Sequence, residues 1–524
     1  MKKRLRLQVS ASWLQILALV AAFACIGMGL RLYIRQQQVA KFGMDPILTS
    51  IDTSQRREAL QAIVSRNNKS LSAARARYIL ASEAIDRQEA DRALGYLQAL
   101  ERDYPILAPQ IIWKRAQAYE LLRQTPEFLT QLQLLDREYS RSPVVVEAWN
   151  IMGREDEKYW NLAIEKFPSH PRTLSIIEQE LAQTPNRPDL LLILVKYFDD
   201  SDPRRLKVAD RLVVEYPHDL KPEDWDLVGE IYWQNKVYGK AIVPLSRGNK
   251  TASNAYKIAR GYALNQRSDE AKIVYQEIIS QYASSQEACK SLVDLAELSP
   301  DVEAMNYLDR AIDKFPNRNV QAYLKKAEIL ERNQNQAGAL AVRTQMVKLY
   351  PHSEEVAAYR WELAKENAKQ SNNLARSWEL AKQIAIDSPN SKYSPRATFW
   401  IGKWARQMGM QAESKQAFTY TMVNYTRSYY SWRSAKYLGW DVGDFYSTKS
   451  IAPKISIPTS RLPLPTGSDE LKELYLLGQD RDTWELWQTE FVNRREPKIL
   501  ERLNQSIILN RLRSEEHTSE LQSQ

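Results

Sequence analysis

Apolar residues recur at helical spacing over most of the chain, from about residue 53 to residue 446. Glycine and proline are scarce, with 16 and 23 copies in 524 residues, while alanine, leucine, glutamate, lysine, arginine and glutamine are abundant. These residue types favour long helical stretches. The pattern predicts an all-α protein, and the length indicates either several domains or an elongated array of repeats.

A short phrase closes many of the predicted helices: a charged residue, an aromatic residue and often a proline. Its aromatic position, which a serine occupies in one copy, falls at Tyr104, Tyr139, Phe167, Tyr216, Tyr282, Phe315, Tyr350, Ser388 and Tyr425. From Tyr282 onward the steps are 33, 35, 38 and 37 residues. A period near 34 residues is typical of tetratricopeptide repeats, which are pairs of helices. Residues 53–446 are therefore predicted to form a tetratricopeptide-like α-α superhelix, with degenerate spacing before Tyr216.

Small residues occupy matching positions in the clearest repeats. Ala271, Ala304 and Ala339 each fall early in the predicted second helix of a pair. Alanine lets two helix backbones approach, the aromatic residue fills the gap to the next helix, and proline stops the helix. Most tryptophans also fall at helical spacing, which favours core packing over sugar-binding platforms; they are Trp113, Trp149, Trp160, Trp225, Trp233, Trp361, Trp378, Trp400 and Trp404.

The amino terminus has the features of a membrane anchor. Residues 1–6 contain four basic residues, and residues 7–30 are uncharged. Twenty-four residues span about 36 Å as a helix, which is enough to cross a bilayer. Residues 7–34 are predicted to be a transmembrane signal anchor, with residues 1–6 in the cytoplasm and the bulk of the chain on the periplasmic side of the plasma membrane. A cleaved signal peptide and a lipoprotein site at Cys25 are the alternatives.

Charge and chemistry narrow the function only slightly. The formal net charge of +9 would suit an anionic partner, but the 73 basic and 64 acidic residues are interspersed. The anchor's orientation and the absence of a basic stripe disfavour nucleic acid. Cys25 and Cys289, together with four scattered histidines, predict no disulfide, no metal site and no cofactor.

The pattern changes towards the carboxyl terminus. An aromatic-rich block ends near residue 447, and residues 447–468 form a proline-rich linker. Residues 469–512 begin a further helical region. The last residues, 513–524, read RSEEHTSELQSQ and resemble the translation of a sequencing-library adapter, so this tail is treated as an artefact.

Two stretches carry a family resemblance. SYYSWRSAKYLGWDVGDF at residues 428–445 and LKELYLLGQDRDTWELWQTEF at residues 471–491 resemble soluble-type lytic murein transglycosylases of cyanobacterial type. The resemblance implies an envelope enzyme that cleaves peptidoglycan glycan strands between N-acetylmuramic acid and N-acetylglucosamine, leaving a 1,6-anhydro end. It also implies a catalytic glutamate in a lysozyme-like domain, marked by a Glu-Ser pair followed by Gly-Leu-Met-Gln. The chain lacks this ordered pair, so it is expected to be an inactive fragment without the catalytic domain.

One stretch, MGMQAESKQAF, imitates the missing motif. Glu413 precedes a serine, but the Gly-Met-Gln comes before it instead of after it. Ala412 falls roughly where the small residue of a second repeat helix belongs, so Glu413 is expected to be an exposed helix residue. No catalytic residue is assigned, and no substrate-binding residue is identified. The alternative function is a non-enzymatic tetratricopeptide-repeat scaffold that recruits protein partners in the cell envelope.

Overall fold

The helices of the chain fall into two units. A computed structural model describes residues 53–66, 69–316, 318–369, 373–443, 461–493 and 497–522. Across these ranges every regular element is helical, with 27 α-helices and one 3-10 helix, which confirms the all-α prediction. Unit 1 takes its described residues from 53–201 and 461–522, and unit 2 takes its own from 202–443. Unit 2 is therefore inserted in sequence between the two segments of unit 1.

The first segment of unit 1 is an irregular series of ten α-helices, with a 3-10 helix at Pro105–Leu107 between the fourth and the fifth. The helices are α1 (Thr53–Arg66), α2 (Leu71–Asp86), α3 (Ala90–Leu97), α4 (Leu100–Asp103), α5 (Ala108–Leu121), α6 (Thr125–Tyr139), α7 (Val145–Met152), α8 (Lys158–Lys166), α9 (Pro171–Gln183) and α10 (Pro188–Tyr197).

Unit 2 is more regular, with most helices between 12 and 16 residues long. Its helices are α11 (Pro203–Glu215), α12 (Pro222–Gln234), α13 (Tyr238–Arg247), α14 (Ala252–Leu264), α15 (Ser268–Gln281), α16 (Gln286–Glu297), α17 (Asp301–Lys314), α18 (Val320–Arg332), α19 (Gln336–Leu349), α20 (Glu354–Lys369), α21 (Leu374–Asp387), α22 (Ser394–Gln407), α23 (Gln411–Asn424) and α24 (Tyr429–Tyr437). The second segment of unit 1 then adds α25 (Asp469–Leu476), α26 (Asp480–Glu490) and α27 (Ile499–Gln522).

The helices pack as consecutive pairs joined by one kind of turn. The residue two positions after the first helix has a positive φ, between 56° and 81°, at Gln88, Arg123, Lys236, Gln266, Gln334, Gly409, Gly439 and Gly478. In the turn after α14, for example, the amide of Gln266 donates to the Ala263 carbonyl and the amide of Arg267 donates to the Tyr262 carbonyl. These bonds satisfy carbonyl groups that the end of the helix leaves free.

The fourth residue of the second helix lies where the two helices of a pair come closest. That residue is small and at most 4 % exposed at Ala93, Ala241, Ala271, Ala304, Ala339, Ser377, Ser414 and Thr483. The predictions for Ala271, Ala304 and Ala339 are confirmed. The prediction for Ala412 is wrong, because α23 begins at Gln411 and its fourth residue, Ser414, faces the first helix while Ala412 is exposed.

The aromatic phrase marks the end of the second helix, as predicted. Tyr282, Phe315, Tyr350, Ser388 and Tyr425 each cap the second helix that ends one residue earlier. The three tyrosines of this set also connect neighbouring pairs, and the Tyr282 hydroxyl donates to the Lys250 carbonyl at 3.1 Å. The Tyr350 hydroxyl donates to the Pro316 carbonyl at 2.6 Å, and the Tyr425 hydroxyl donates to the Pro389 carbonyl at 2.8 Å.

Several sequence predictions concern residues that the structure does not describe, or describes only in part. The anchor at residues 7–34 lies outside the described residues, as does most of the linker, at 447–460. Among the helices that are described, none is long and apolar enough to cross a bilayer. The backbone of α27 continues past residue 513, and the adapter origin of residues 513–524 stays a prediction.

Candidate functional site

In unit 1, the chain's own carboxyl-terminal helices pack against the first helices of the early pairs. α25 and α26 form a pair of the repeat type, with Gly478 in the turn and Thr483 as the buried fourth residue. Their apolar side chains share one core with those of α2, α5 and the 3-10 helix. From the carboxyl-terminal segment this core contains Leu464, Leu471, Leu474, Tyr475, Leu477, Leu486, Trp487, Phe491 and Ile508.

A buried ionic network fixes this packing. Arg75 of α2 donates from Nε and Nη2 to the two carboxylate oxygens of Glu473 at 2.6 and 2.9 Å. The two side chains are 12 % and 8 % exposed, and the Tyr104 hydroxyl donates to the same carboxylate. Bidentate arginine–carboxylate pairs combine strength with geometric specificity. The network therefore sets the position of α25 on α2.

Further polar contacts extend along α26. Lys114 of α5 lies 3.1 Å from the Asp482 carboxylate. The Ser169 hydroxyl donates to the Thr489 carbonyl at 3.1 Å. Cations and hydroxyls from the early pairs thus meet an acidic helix pair at several points.

Glu470 at the start of α25 and Glu485 of α26 are two carboxyl groups in this packing, and partial burial raises the pKa of each to about 7. Gln110 of α5 donates its amide to the Glu470 carboxylate. Burial is the main cause that raises the pKa of Glu470 to about 7, and the nearby negative charge of Glu490 adds to it. The carboxyl group consequently changes protonation near neutral pH.

In unit 2, the first helices of the pairs also form a surface. This surface carries an open pocket of about 490 Å³. α20 and α22 form its walls, α24 contributes one residue and the start of α21 another. The lining residues are Trp361, Lys365, Ala368, Lys369, Leu374, Arg396, Trp400, Trp404, Gln407 and Tyr430. They include three cations and three tryptophans, and no carboxylate. We call this site the aromatic–basic pocket.

Three tryptophans form its apolar floor. The rings of Trp361 and Trp404 are stacked, with centroids 6.2 Å apart, and the Trp400 centroid is 5.5 Å from that of Trp404. Trp361 and Trp404 are only 2 % and 3 % exposed, so the prediction of core packing holds for both, while Trp400 is half-buried. The Trp361 Nε1 group is buried and has no hydrogen-bond partner among the described residues.

Arg396 dominates the electrostatics of the pocket. Its guanidinium lies 5.6 Å from the Trp361 ring centroid and 5.7 Å from that of Tyr430, and its Nε donates to the Tyr430 hydroxyl at 2.7 Å. Within the described part of the chain, no carboxylate forms an ion pair with Arg396 or with the exposed Lys369. Lys365, by contrast, pairs with Glu362 at 2.6 Å. The pocket thus offers two cations to an external anion.

The sequence around the pocket has an excess of positive charge. Residues 391–440 contain eight basic residues and a single acidic one, Glu413. The even mixture of charges over the whole chain conceals this local excess. A count in windows of 50 residues would have revealed it, whereas the pocket itself depends on how α20 and α22 pack.

The residues that the sequence analysis singled out lie elsewhere. Glu413 is exposed in the first turn of α23 and does not line the pocket. Cys289 is a buried free thiol in α16. His170 is buried before α9, where burial lowers its pKa to about 3 and its Nδ1 accepts from the Arg172 amide. The described residues contain no cluster of histidine, cysteine and carboxylate side chains that could hold a metal ion.

Comparison with known proteins identifies one repeat directly. The tetratricopeptide repeat family matches residues 254–285, which comprise most of α14 and all of α15. None of the curated proteins compared with the chain matches it.

Three solved structures that match the chain have low sequence identity and low TM-scores. The C-terminal part of a TPR repeat-containing protein from Cytophaga hutchinsonii is 12 % identical, with 47 % of this chain and 99 % of that chain covered and a TM-score of 0.31. Pseudomonas aeruginosa PilF is 14 % identical, with 42 % and 96 % covered and a TM-score of 0.27. The human IFIT1 dimer with m7Gppp-AAAA is 13 % identical, with 75 % and 96 % covered and a TM-score of 0.28.

These comparisons give no support to the resemblance to lytic transglycosylases. Residues 254–285 are a tetratricopeptide repeat, and the helix pairs around them form a tetratricopeptide-like array.

Proposed function

We propose that this protein is a tetratricopeptide-type scaffold that binds a protein partner through the first helices of unit 2. The observation that carries the proposal is a contrast between the two units. In unit 1 the surface of first helices holds α25 and α26, whereas in unit 2 the corresponding surface carries the open aromatic–basic pocket. A surface that binds a helix pair of its own chain in one unit is suited to bind another protein in the other.

The lining of the pocket favours binding. Partly exposed tryptophan and tyrosine supply apolar contact area, and Arg396 and Lys369 supply charge. Tryptophan, tyrosine and arginine are the residue types that contribute most to protein interfaces. If the predicted anchor at residues 7–34 is correct, the scaffold is held at the plasma membrane and its partners are envelope proteins.

Site-specific photo-crosslinking in the source cell tests the proposal. A benzoylphenylalanine at Gln407, which is exposed and lines the pocket, is expected to capture a defined protein partner. The matched control carries the benzoylphenylalanine at position 415 instead. Lys415 is exposed on the second helix α23 and does not line the pocket. Equal capture at both positions, or no protein adduct at Gln407, would refute the proposal.

A second candidate function rests on the resemblance at residues 428–445 and 471–491. Under this proposal the chain is the superhelical part of a membrane-anchored lytic transglycosylase, with glycan strands as substrate and the catalytic domain encoded beyond residue 512. Residues 471–491 lie in α25 and α26, so they take part in the packing of unit 1. Clean DNA sequence past codon 512 tests it, because an in-frame Glu-Ser motif would favour this candidate and an immediate stop codon would oppose it.

An enzymatic assay tests whether residues 36–512 are themselves catalytic, which neither candidate predicts. Residues 36–512 incubated with wall sacculi should release no anhydro-muropeptides, and Glu413→Gln should change nothing, because Glu413 is an exposed helix residue. A general acid needs a carboxyl group held against the glycosidic oxygen in a groove. Product release that Glu413→Gln abolishes would assign catalysis to this chain.

A further inference from the structure

The aromatic–basic pocket has features that define the chemistry of its ligand. Resting on the proposed function, we infer that it binds an acidic protein segment in which a large apolar side chain enters the pocket and neighbouring carboxylates meet Arg396 and Lys369.

Unit 1 provides an internal example of this chemistry. Residues 469–491, which form α25 and α26, contain seven acidic and two basic residues and four aromatic ones. Their apolar side chains enter the core of unit 1, while Glu473 pairs with Arg75 and Asp482 pairs with Lys114. The first helices of this protein thus already bind one segment that is both acidic and aromatic.

The pocket in unit 2 offers matching groups. Trp361, Trp400 and Trp404 form an apolar floor, and the volume of about 490 Å³ is sufficient for a large side chain with part of its backbone. The partly exposed Trp400 ring and the Tyr430 side chain supply the apolar surface that a ligand side chain can contact. The Arg396 guanidinium is held in place by Trp361 and Tyr430, which reduces the entropy lost when it binds a carboxylate.

Two other classes of ligand fit less well. A glycan presents many hydroxyl groups that need acceptors, but among the lining side chains only Gln407 and the Tyr430 hydroxyl can accept. Single-stranded nucleic acid stacks its bases on exposed aromatic faces, whereas Trp361 and Trp404 are 2 % and 3 % exposed. An acidic protein segment uses the apolar floor and the cations together.

Peptide selection on the full chain tests this inference. The immobilised protein is screened with random 12-residue peptides displayed on phage, and the selected peptides are synthesised for fluorescence anisotropy. We expect a consensus with one aromatic or large aliphatic residue flanked by Asp or Glu. Arg396→Gln should weaken binding by about 10- to 100-fold, the range for a charge-assisted hydrogen bond, and Lys369→Gln, whose cation is exposed, by about three- to fivefold.

The matched control is Arg406→Gln. Arg406 is an exposed cation on the same helix α22 and does not line the pocket, so this variant removes the same charge and should change affinity less than about threefold. Circular dichroism monitors whether Arg396→Gln alters the fold. If it does, Lys369→Gln still tests the inference, because Lys369 is exposed and its replacement should leave the fold unchanged.

The outcomes separate the two proposals. A consensus without acidic residues, or equal losses for the Arg396 and Arg406 variants, would overturn the ligand chemistry and leave the scaffold function intact. Peptidoglycan fragments or oligo-dT that bind tighter than every selected peptide, with the same dependence on Arg396, would also overturn it. No enrichment over an unrelated protein would remove the proposed function itself.

Discussion

Glu473→Gln should release α25 and α26 from the early helices of unit 1. The substitution keeps the size of the side chain and its capacity to accept from Tyr104, but it removes the charge that faces Arg75. Arg75 then remains in a site where it is 12 % exposed, without a counter-charge. Because a buried charge without its partner is strongly unfavourable, the packed arrangement should lose more stability than one hydrogen bond contributes.

The geometry sets the magnitude. Removal of one partner from a buried ion pair costs about 3–5 kcal/mol. We take the lower end, about 3 kcal/mol, because some solvent reaches both side chains and screens the remaining charge. At about 1.4 kcal/mol per factor of ten, this corresponds to a roughly 100-fold rise in the population of the opened state.

Amide hydrogen exchange measured by mass spectrometry reports this opening. Peptides from α25 and α26 should exchange about 100-fold faster in Glu473→Gln, while peptides from α14 and α15 keep their rates. Glu138→Gln is the control, since its pair with Arg137 is 51 % and 70 % exposed and should contribute less than about 1 kcal/mol. Replacing both partners, as in Arg75→Met with Glu473→Met, should restore most of the protection. Unchanged exchange of α25 in Glu473→Gln would refute the reasoning.

Four further variants test other parts of the structure. In the folded protein the pKa values of Glu470 and Glu485 are about 7 against an ordinary 4.5, so the folded state binds both protons more tightly; protection of α25 should therefore fall as pH rises from about 4.5 through 7, and Glu470→Gln should remove the part of that dependence that Glu470 contributes while Glu485 keeps the rest. Tyr350→Phe removes a hydrogen bond between neighbouring pairs and should lower the melting temperature of unit 2 by about 2–4 °C in calorimetry. Gln334→Gly should raise it, because Gln334 has a φ of 60°, which costs a non-glycine residue about 1–2 kcal/mol. Gly402→Ala should destabilise by about 1–3 kcal/mol in guanidinium unfolding, since its Cβ would lie 2.6 Å from the Phe418 ring; an unchanged midpoint would contradict the packing of α22 on α23.

The sequence predicted the ends of the second helices because local physical effects decide them. The aromatic residue at Tyr350 caps its helix, the following proline cannot continue it, and alanine at position 339 permits close contact. The turns between the helices of a pair were not predicted. Gln266 and Gln334 adopt the left-handed conformation without being glycine, so composition gives no sign of them.

Contacts between distant segments could not be predicted from local patterns. Arg75 and Glu473 are 398 residues apart, and neither stands out among many charged residues on helices. The aromatic–basic pocket raises the same difficulty, because Trp361 and Trp400 each fit the spacing of ordinary core residues. Only the packing of α20 on its neighbours brings Lys369 and Arg396 to the same opening.

The two surfaces of first helices differ in how available they are to a partner. α25 and α26 belong to the same chain as the surface they cover, so a partner that competes for unit 1 faces an effective local concentration on the order of millimolar. The buried pair between Arg75 and Glu473 adds specificity to that advantage. In unit 2, Arg396 and Lys369 face no such competitor among the described residues. An acidic segment supplied at micromolar concentration should therefore occupy unit 2 while α25 and α26 keep their place in unit 1, and protection of α25 should not change when a selected peptide saturates the aromatic–basic pocket.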